Sequence, residues 1–190
     1  TGILERRIAG KNETAGDMAV EAGKRLFEKG ICEPGEVDFL LFCTQSPDYF
    51  LPSTSCIIQE KLGLGTSCGA LDFNLGCSGF VYGLSLAKGL IESGSAKNVL
   101  LITSETYSKY LSKTDRSVRT IFGDGASAAL ISGIETDEEL IGPFVFGTDG
   151  RGASKLIVPA GAHRNPSTDL TKKELEGGDG ICRSDENLFM

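Results

Sequence analysis

Residues 71–84 have the sequence LDFNLGCSGFVYGL. It opens as an apolar strand, passes through GCSG at residues 76–79 and continues directly into a helical pattern. Such a turn places the Cys77 side chain at the start of the helix, where backbone N–H groups and the helix dipole favour the thiolate. The glycines let a substrate approach, and the Cys77 N–H suits an oxyanion hole. Cys77 is therefore a candidate nucleophile, although the tetrapeptide alone equally fits a buried apolar cysteine.

The segments on either side predict alternating helices and strands. Helices are expected over residues 14–30, 52–64 and 78–93, and strands over residues 37–44, 69–75 and 98–105. Gly30 and Gly63 stand where the first two helices would end. One face of the third helix is expected to carry Phe80, Leu84, Ala87 and Ile91. This alternation implies an α/β fold with a mostly parallel sheet and right-handed crossovers.

The rest of the chain predicts a different arrangement. GASAALISG (125–133) and IGPFVFGTD (141–149) resemble two strands joined by an acidic turn over residues 135–139. Two strands without a helix between them favour an antiparallel pair at the end of the sheet. Beyond Pro159 the sequence is polar and glycine-rich, which predicts a loop.

Composition limits the class of protein. The chain has 190 residues, 40% of them hydrophobic, and a mean hydropathy of -0.04, which is typical of a globular protein. Its formal charge of -7 lacks the basic footprint that nucleic-acid binding needs. It has no run of 18 apolar residues and no export signal, so we expect no membrane association and a cytoplasmic location.

Cysteine and histidine usage argues against a disulfide framework and a metal site. The six cysteines form no CxxC pair, and the one histidine, His163, lies in the polar stretch GAHRNP. We expect free, mostly buried thiols apart from Cys77, and a surface location for His163.

Several separated motifs resemble, in order and register, the beta-ketoacyl-[acyl-carrier-protein] synthase III family. They are TGILERRIA (1–9), FLPSTSC (50–56), DFNLGCSGFVYGL (72–84), TDR (114–116) and FGDGASAAL (122–130). Together they cover almost the whole chain and are far more specific than any one motif. The resemblance implies that residues 1–160 form the nucleophile-bearing N-terminal βαβαβαββ half of a thiolase-like fold, with a mixed, mostly parallel sheet. Residues 161–190 would be a polar loop leading to a C-terminal half that is absent from this chain.

The resemblance also implies an acyltransferase. Cys77 would take an acyl group, usually acetyl, from CoA, and malonyl-acyl carrier protein would lose carbon dioxide and condense with it to start fatty acid synthesis. No cofactor is expected, because acyl-CoA is a substrate. The family's histidine and asparagine that stabilise the enolate belong to the C-terminal half, so these 190 residues alone are expected to be inactive in condensation.

Substrate-binding residues follow from the same resemblance. Arg116, in the basic segment KYLSKTDRSVR, occupies the position of an arginine that contacts the CoA nucleotide, and its planar guanidinium suits phosphate or adenine. A solvated basic loop is the alternative, and it is the interpretation that we give to Lys109, Lys113 and Arg119.

Three further residues would shape the acyl pocket. Leu51 precedes Pro52 in a loop that reaches across the family's dimer toward the partner's pocket. Tyr107 and Phe122 fall near positions that line the same pocket, though each could equally be plain core. The GDGA turn at residues 123–126 is interpreted as structural.

The family resemblance also predicts binding partners, and it leaves alternative functions open. The family's enzymes are homodimers, and the strand over residues 98–105 is expected to pair with its copy across the two-fold axis. Acyl-CoA and an acyl carrier protein are the other expected partners. Thiolases, hydroxymethylglutaryl-CoA synthases and condensing enzymes of secondary metabolism share the cysteine turn and remain alternatives. A non-catalytic acyl-binding scaffold is a further one, against which the presence of Cys77 counts.

Overall fold

A computed structural model describes residues 2–177 and 180–190, whose helices and strands follow the predicted alternation. The helices are α1 (Ala15–Glu28), α2 (Thr54–Lys61), α3 (Gly79–Glu92) and α4 (Arg116–Arg119). The strands are β1 (Phe39–Cys43), β2 (Gly69–Phe73), β3 (Asn98–Glu105), β4 (Gly125–Ser132), β5 (Leu175–Glu176) and β6 (Cys182–Arg183). Short 3-10 helices lie at Pro34–Glu36, Tyr107–Lys109 and Gly150–Lys155.

Local sequence accounts for the start of α1 and for the ends of α1 and α2. At the start of α1 the Asp17 N–H donates to Thr14 Oγ1 and the Thr14 N–H donates to the Asp17 carboxylate, a reciprocal capping box. After the two helices, Gly30 and Gly63 both have φ +67°, which is the left-handed conformation that glycine adopts without strain. The predicted helix ends at these two glycines are therefore confirmed.

The sheet is mixed and mostly parallel, in the order β2-β1-β3-β4. Strand β1 runs parallel to both β2 and β3, with Leu41 beside Leu71 and Leu101, and β4 runs antiparallel to β3. Helices α1 and α2 pack on one face, where Leu40 and Phe42 of β1 are fully buried. Helix α3 packs on the other face, so the α/β class is confirmed.

One predicted strand is wrong. The segment 141–149 is irregular, and β4 takes its antiparallel partner from β3 rather than from that segment. Ile141 packs against the core, but Val145 is 97% exposed, so the segment as a whole does not have the covered face of a strand. Pro143 also removes a backbone donor from this segment.

The expected pairing of residues 98–105 with their own copy is also wrong. Both edges of β3 are occupied inside the sheet, by β1 on one side and β4 on the other. A strand with two neighbours has no edge left for a partner chain. Among the described strands of this sheet, the edge positions belong to β2 and β4.

The chain divides into two compact units, each of which is described by itself. The sheet unit consists of Ala9–Glu105 and Gly125–Val145. The second unit consists of residues 2–8 with Thr106–Asp124 and Phe146–Met190, and it contains α4 and the short antiparallel pair of β5 and β6. That residues 161–190 lead to a further half stays a prediction. None of the described helices is both long and apolar enough to cross a membrane.

Candidate active site

Cys77 lies in a tight turn between β2 and α3. The Gly79 N–H donates to the Gly76 carbonyl over 2.8 Å, which closes the turn, and the Tyr82 N–H donates to the Ser78 carbonyl to begin the helix. Within the described residues, the Ser78 side chain makes no capping bond to the first turn. The Cys77 thiol is exposed. The exposed thiol therefore lies at the positive end of a 14-residue helix.

The turn packs against a second cysteine, Cys43, which lies at the end of β1. Its thiol donates to the Leu75 carbonyl over 3.1 Å. A Cβ atom built on Gly79 would lie 2.3 Å from Cys43 Sγ, so a larger residue at that position requires the turn or the thiol to move. This contact fixes the position of the Cys77 turn relative to the sheet.

Small residues continue this close approach along α3. A Cβ on Gly83 would lie 2.5 Å from a Leu101 methyl group, and Ala87 is fully buried. Of the four residues predicted to share one face of α3, Leu84, Ala87 and Ile91 pack in the core, whereas Phe80 is 44% exposed. The inner face is also marked by small residues at i, i+4 and i+8, a helical spacing that could have revealed it.

Leu51 lies at the tip of the loop between β1 and α2, and it is 86% exposed. Tyr49 and Phe50 beside it are also exposed, and the Leu51–Pro52 peptide bond is cis. The base of the loop is held by Glu105, whose carboxylate accepts from the Gln45 N–H over 2.7 Å and the Ser46 hydroxyl over 2.9 Å. The loop therefore presents three apolar side chains from an anchored base.

Asp72 anchors the far end of the same loop, and sequence reasoning missed it. Its two carboxylate oxygens accept from the Thr54 and Ser55 N–H groups over 2.6 and 2.7 Å. The cap of α2 therefore comes from β2, the strand that leads to Cys77, rather than from Ser53, which makes no side-chain cap. No local pattern could signal a cap that comes from another element.

The environments of the six thiols differ in accessibility. Cys32 and Cys43 are buried, Cys68 and Cys182 are partly buried, and Cys56 and Cys77 are exposed. Burial raises the pKa of Cys43 to about 11 and also raises the pKa of Cys32 and Cys68. Because the thiolate is the reactive form, these three groups are poor nucleophiles.

We expect Cys77 to be the most reactive of the six thiols. Cys56, in the first turn of α2, is the sharpest comparison, because it is also exposed near a helix start and its sulfur lies 3.5 Å from the Ser53 hydroxyl. Limiting iodoacetamide followed by peptide mass spectrometry should label Cys77 first, and Cys77→Ser should leave slower labelling of Cys56. Faster labelling of Cys56, Cys32 or Cys43 in the unsubstituted protein would contradict this prediction.

The second unit carries the other predicted site residues. Arg116 is the first residue of α4 and is exposed, and Asp115 caps that helix by accepting from the Ser117 N–H over 2.9 Å. Lys113 and Arg119 are also exposed, and the Arg119 guanidinium donates to the Lys113 carbonyl. The basic segment therefore forms an ordered turn with an exposed arginine at its start.

The structure brings Tyr107 and Phe122 together. Their rings meet edge to face with centroids 5.2 Å apart. The turn beside Phe122 is held by Asp124, whose carboxylate accepts from the Ser108 N–H and hydroxyl and whose N–H donates to the Arg7 carbonyl. Asp124 therefore has a structural role, as the sequence suggested, and it supports the aromatic pair.

The remaining candidates are placed as follows. Cys77 and Leu51 belong to the sheet unit, whereas Arg116, Tyr107 and Phe122 belong to the second unit. His163 is exposed in the segment where Ala162 and Asn165 form an isolated bridge. Its predicted surface location is confirmed.

Comparison with known proteins shows which proteins the chain is similar to. A family profile described as 3-Oxoacyl-[acyl-carrier-protein (ACP)] synthase III matches residues 71–150. A beta-ketoacyl-[acyl-carrier-protein] synthase III from Caldanaerobacter subterraneus subsp. tengcongensis is 42% identical over 171 residues, which are 90% of this chain and 51% of that protein.

Solved structures show the same fold. A crystal structure of a 3-oxoacyl-(acyl-carrier-protein) synthase III is 57% identical with a TM-score of 0.97, covering 100% of this chain and 56% of the other. A 3-oxoacyl-(acyl-carrier protein) synthase from Burkholderia xenovorans LB400 is 40% identical with a TM-score of 0.80, covering 97% and 51%. The fold is thiolase-like, and the chain spans about half the length of the relatives it matches. Over the half that it spans, the chain is similar in sequence and in structure to 3-oxoacyl-[acyl-carrier-protein] synthase III proteins.

Proposed function

We propose that the whole protein condenses an acyl-CoA, most simply acetyl-CoA, with malonyl-acyl carrier protein by way of an acyl-Cys77 intermediate. The observation that carries this proposal is the exposed Cys77 thiol in the turn before α3, in a chain that is similar to this family. A thiolate is both a strong nucleophile and a good leaving group, and the two steps of the reaction need both properties.

The two steps balance in atoms and electrons. In the first, the Cys77 thiolate attacks the acyl-CoA carbonyl, and the tetrahedral intermediate expels CoA as its thiolate, which takes a proton. In the second, malonyl-carrier protein loses carbon dioxide, and the carbanion left behind attacks the acyl group. The Cys77 thiolate then leaves, and 3-oxoacyl-carrier protein is released. The reaction needs no cofactor, because both substrates arrive as activated thioesters.

Residues of this chain support the first step. The Cys77 N–H, together with the positive end of the α3 dipole, is suited to stabilise the oxyanion that forms on the acyl carbonyl. The contact between Gly79 and Cys43 keeps that turn in place. In the second step, the family resemblance assigns enolate stabilisation to a histidine and an asparagine of the other half.

Coenzyme recognition is proposed for Arg116. We expect Arg116→Ala to raise the acetyl-CoA concentration at half-maximal rate by about five- to tenfold, because a charge-assisted contact is worth about 1.5 to 3 kcal/mol and solvent exposure reduces that value. Initial rates measured against acetyl-CoA concentration test this expectation. Lys113→Ala is the matched control, since Lys113 is an exposed cation in the same segment. Equal effects of the two substitutions would assign Arg116 to general surface charge.

Contacts with the acyl group are proposed separately for Leu51, which the family resemblance directs toward a partner's pocket, and for Tyr107 and Phe122. The support is an exposed apolar loop tip at Leu51 and a preformed edge-to-face ring pair at the other two positions. Apolar surfaces of this kind suit a short acyl chain.

A homodimer is proposed through the edge of β2. This strand has β1 as its one neighbour among the described strands, and Leu71 in it is 44% exposed. Pairing with a second copy would cover an edge that is otherwise prone to aggregation. We expect Leu71→Lys to lower the mass of the whole protein from dimer toward monomer in sedimentation equilibrium, whereas Leu140→Lys, at an exposed site outside the strand, should not. A dimer that survives Leu71→Lys unchanged would contradict the proposed interface.

The proposed function is tested by product analysis. The whole protein, given radiolabelled acetyl-CoA and malonyl-acyl carrier protein, should release carbon dioxide and free CoA and form labelled acetoacetyl-carrier protein. We expect this reaction in the cytoplasm, where both thioesters would be available. Absence of product with acetyl-CoA and with longer acyl-CoA substrates would overturn the proposal.

A further inference from the structure

Residues 182–188 form several hydrogen bonds with residues 110–114, which precede Arg116. The Cys182 carbonyl accepts from the Ser112 hydroxyl over 2.5 Å and from the Thr114 hydroxyl over 3.0 Å, and the Cys182 N–H donates back to Thr114 Oγ1 over 3.0 Å. Farther along, the Leu188 N–H donates to the Tyr110 carbonyl over 2.9 Å. Residues 182–188 therefore fix the backbone of residues 110–114.

The same segment contributes Arg183, which forms an ion pair with the buried Asp115 side chain. The Asp115 side chain is 1% exposed, and its Oδ2 lies 2.9 Å from Arg183 Nε. The N–H is poorly aligned for a hydrogen bond, so the attraction is chiefly between the charges. The Arg183 guanidinium also lies over the Phe189 ring, 5.2 Å from its centroid. This packing limits where the guanidinium can go.

The other oxygen of the same carboxylate begins α4. Asp115 Oδ1 accepts from the Ser117 N–H over 2.9 Å and from the Ser117 hydroxyl over 2.5 Å. Arg116 lies between these two residues, so the cap fixes its backbone. A buried carboxylate that loses its cation moves toward water, and this movement weakens the cap.

We propose that Arg183 is a positioning residue that acts through Asp115 to hold Arg116 where it binds the nucleotide part of acyl-CoA. This inference rests on the proposed coenzyme role of Arg116. Arg183 itself is not required to touch the substrate. Its contribution is to keep Asp115 in place as the cap of α4.

The test is a mutant cycle in the whole protein with two substrates. Acetyl-CoA carries the nucleotide, whereas acetyl-pantetheine lacks it. Arg183→Met removes the charge but keeps an unbranched side chain over Phe189. We expect it to raise KM for acetyl-CoA by about five- to tenfold, to change kcat less than about twofold, and to leave KM for acetyl-pantetheine unchanged. In the Arg116→Ala background it should have no further effect on KM for acetyl-CoA.

The results that would overturn the role of Arg183 differ from those that would overturn the role of Arg116. Equal KM changes for the two substrates, or an undiminished effect of Arg183→Met in the Arg116→Ala background, would overturn the inference while leaving the coenzyme role of Arg116 intact. If Arg116→Ala alone does not change KM for acetyl-CoA, the coenzyme role fails, and the inference fails with it. If circular dichroism shows that Arg183→Met does not fold, the same cycle is run with Arg183→Gln, which also removes the charge but keeps a polar side chain.

Discussion

Cys77→Ala is expected to abolish condensation, with a loss of about 10³-fold or more in rate, because removing the nucleophile of a covalent mechanism removes the path through the acyl intermediate. The substitution lies at an exposed turn position, so the fold should be retained. The measurement is the rate of acetoacetyl-carrier protein formation by the whole protein at saturating acetyl-CoA. Circular dichroism should be unchanged.

Cys56→Ala is the matched control for this substitution. It removes the other exposed thiol, also near the start of a helix, and should leave the rate within about twofold of the original. A Cys77→Ala variant that still condenses at a comparable rate would show that the mechanism uses another nucleophile. A large loss of condensation rate in Cys56→Ala would show that the rate depends on exposed thiols in general and not on the position of Cys77 in the turn before α3.

Gly79→Ala is expected to have the second-largest effect, by displacing the turn that carries Cys77. The added methyl group would lie 2.3 Å from Cys43 Sγ, and overpacking of this kind costs about 1 to 3 kcal/mol. The higher helix propensity of alanine returns about 1 kcal/mol, so the free energy of unfolding should fall by about 1 kcal/mol. A small shift of the nucleophile should slow Cys77 acylation by about 10- to 100-fold.

Removing the opposing sulfur supplies the control. In Cys43→Ala/Gly79→Ala the clash is gone, since the next Cys43 atom, Cβ, lies 3.7 Å from the position of the added methyl group, an ordinary contact distance. We expect urea unfolding and the acylation rate of the double variant to move back toward those of Cys43→Ala alone. Equal acylation rates in Gly79→Ala and the unsubstituted protein would show that the Cys43 contact does not position the turn.

Local patterns in the sequence were sufficient for the elements that carry the nucleophile. The apolar run into GCSG predicted β2, the turn and α3, because both periodicities and the turn residues lie within 14 consecutive residues. The glycine ends of α1 and α2 were equally local. Sheet order is not local, so the sequence did not show that β3 is interior and β2 is at an edge.

The missed site features are also nonlocal. Asp72 caps α2 from another element, and Asp115 faces a cation 68 positions away along the chain. Neither contact follows from spacing along the sequence. The segment 141–149 was assigned as a strand from its apolar content alone, and its exposed Val145 shows that content without a covering surface does not make a strand.

Mass spectrometry of the acyl-enzyme tests most directly whether Cys77 carries the acyl group. The whole protein is incubated with acetyl-CoA in the absence of malonyl-carrier protein, quenched in acid and digested. The account predicts one acetyl group, on the peptide that contains Cys77, which disappears with formation of acetoacetyl-carrier protein when malonyl-carrier protein is added before the quench. Acetylation of Cys56 or another residue instead of Cys77, or condensation without any acetyl group on Cys77, would show that the reaction does not proceed through acyl-Cys77.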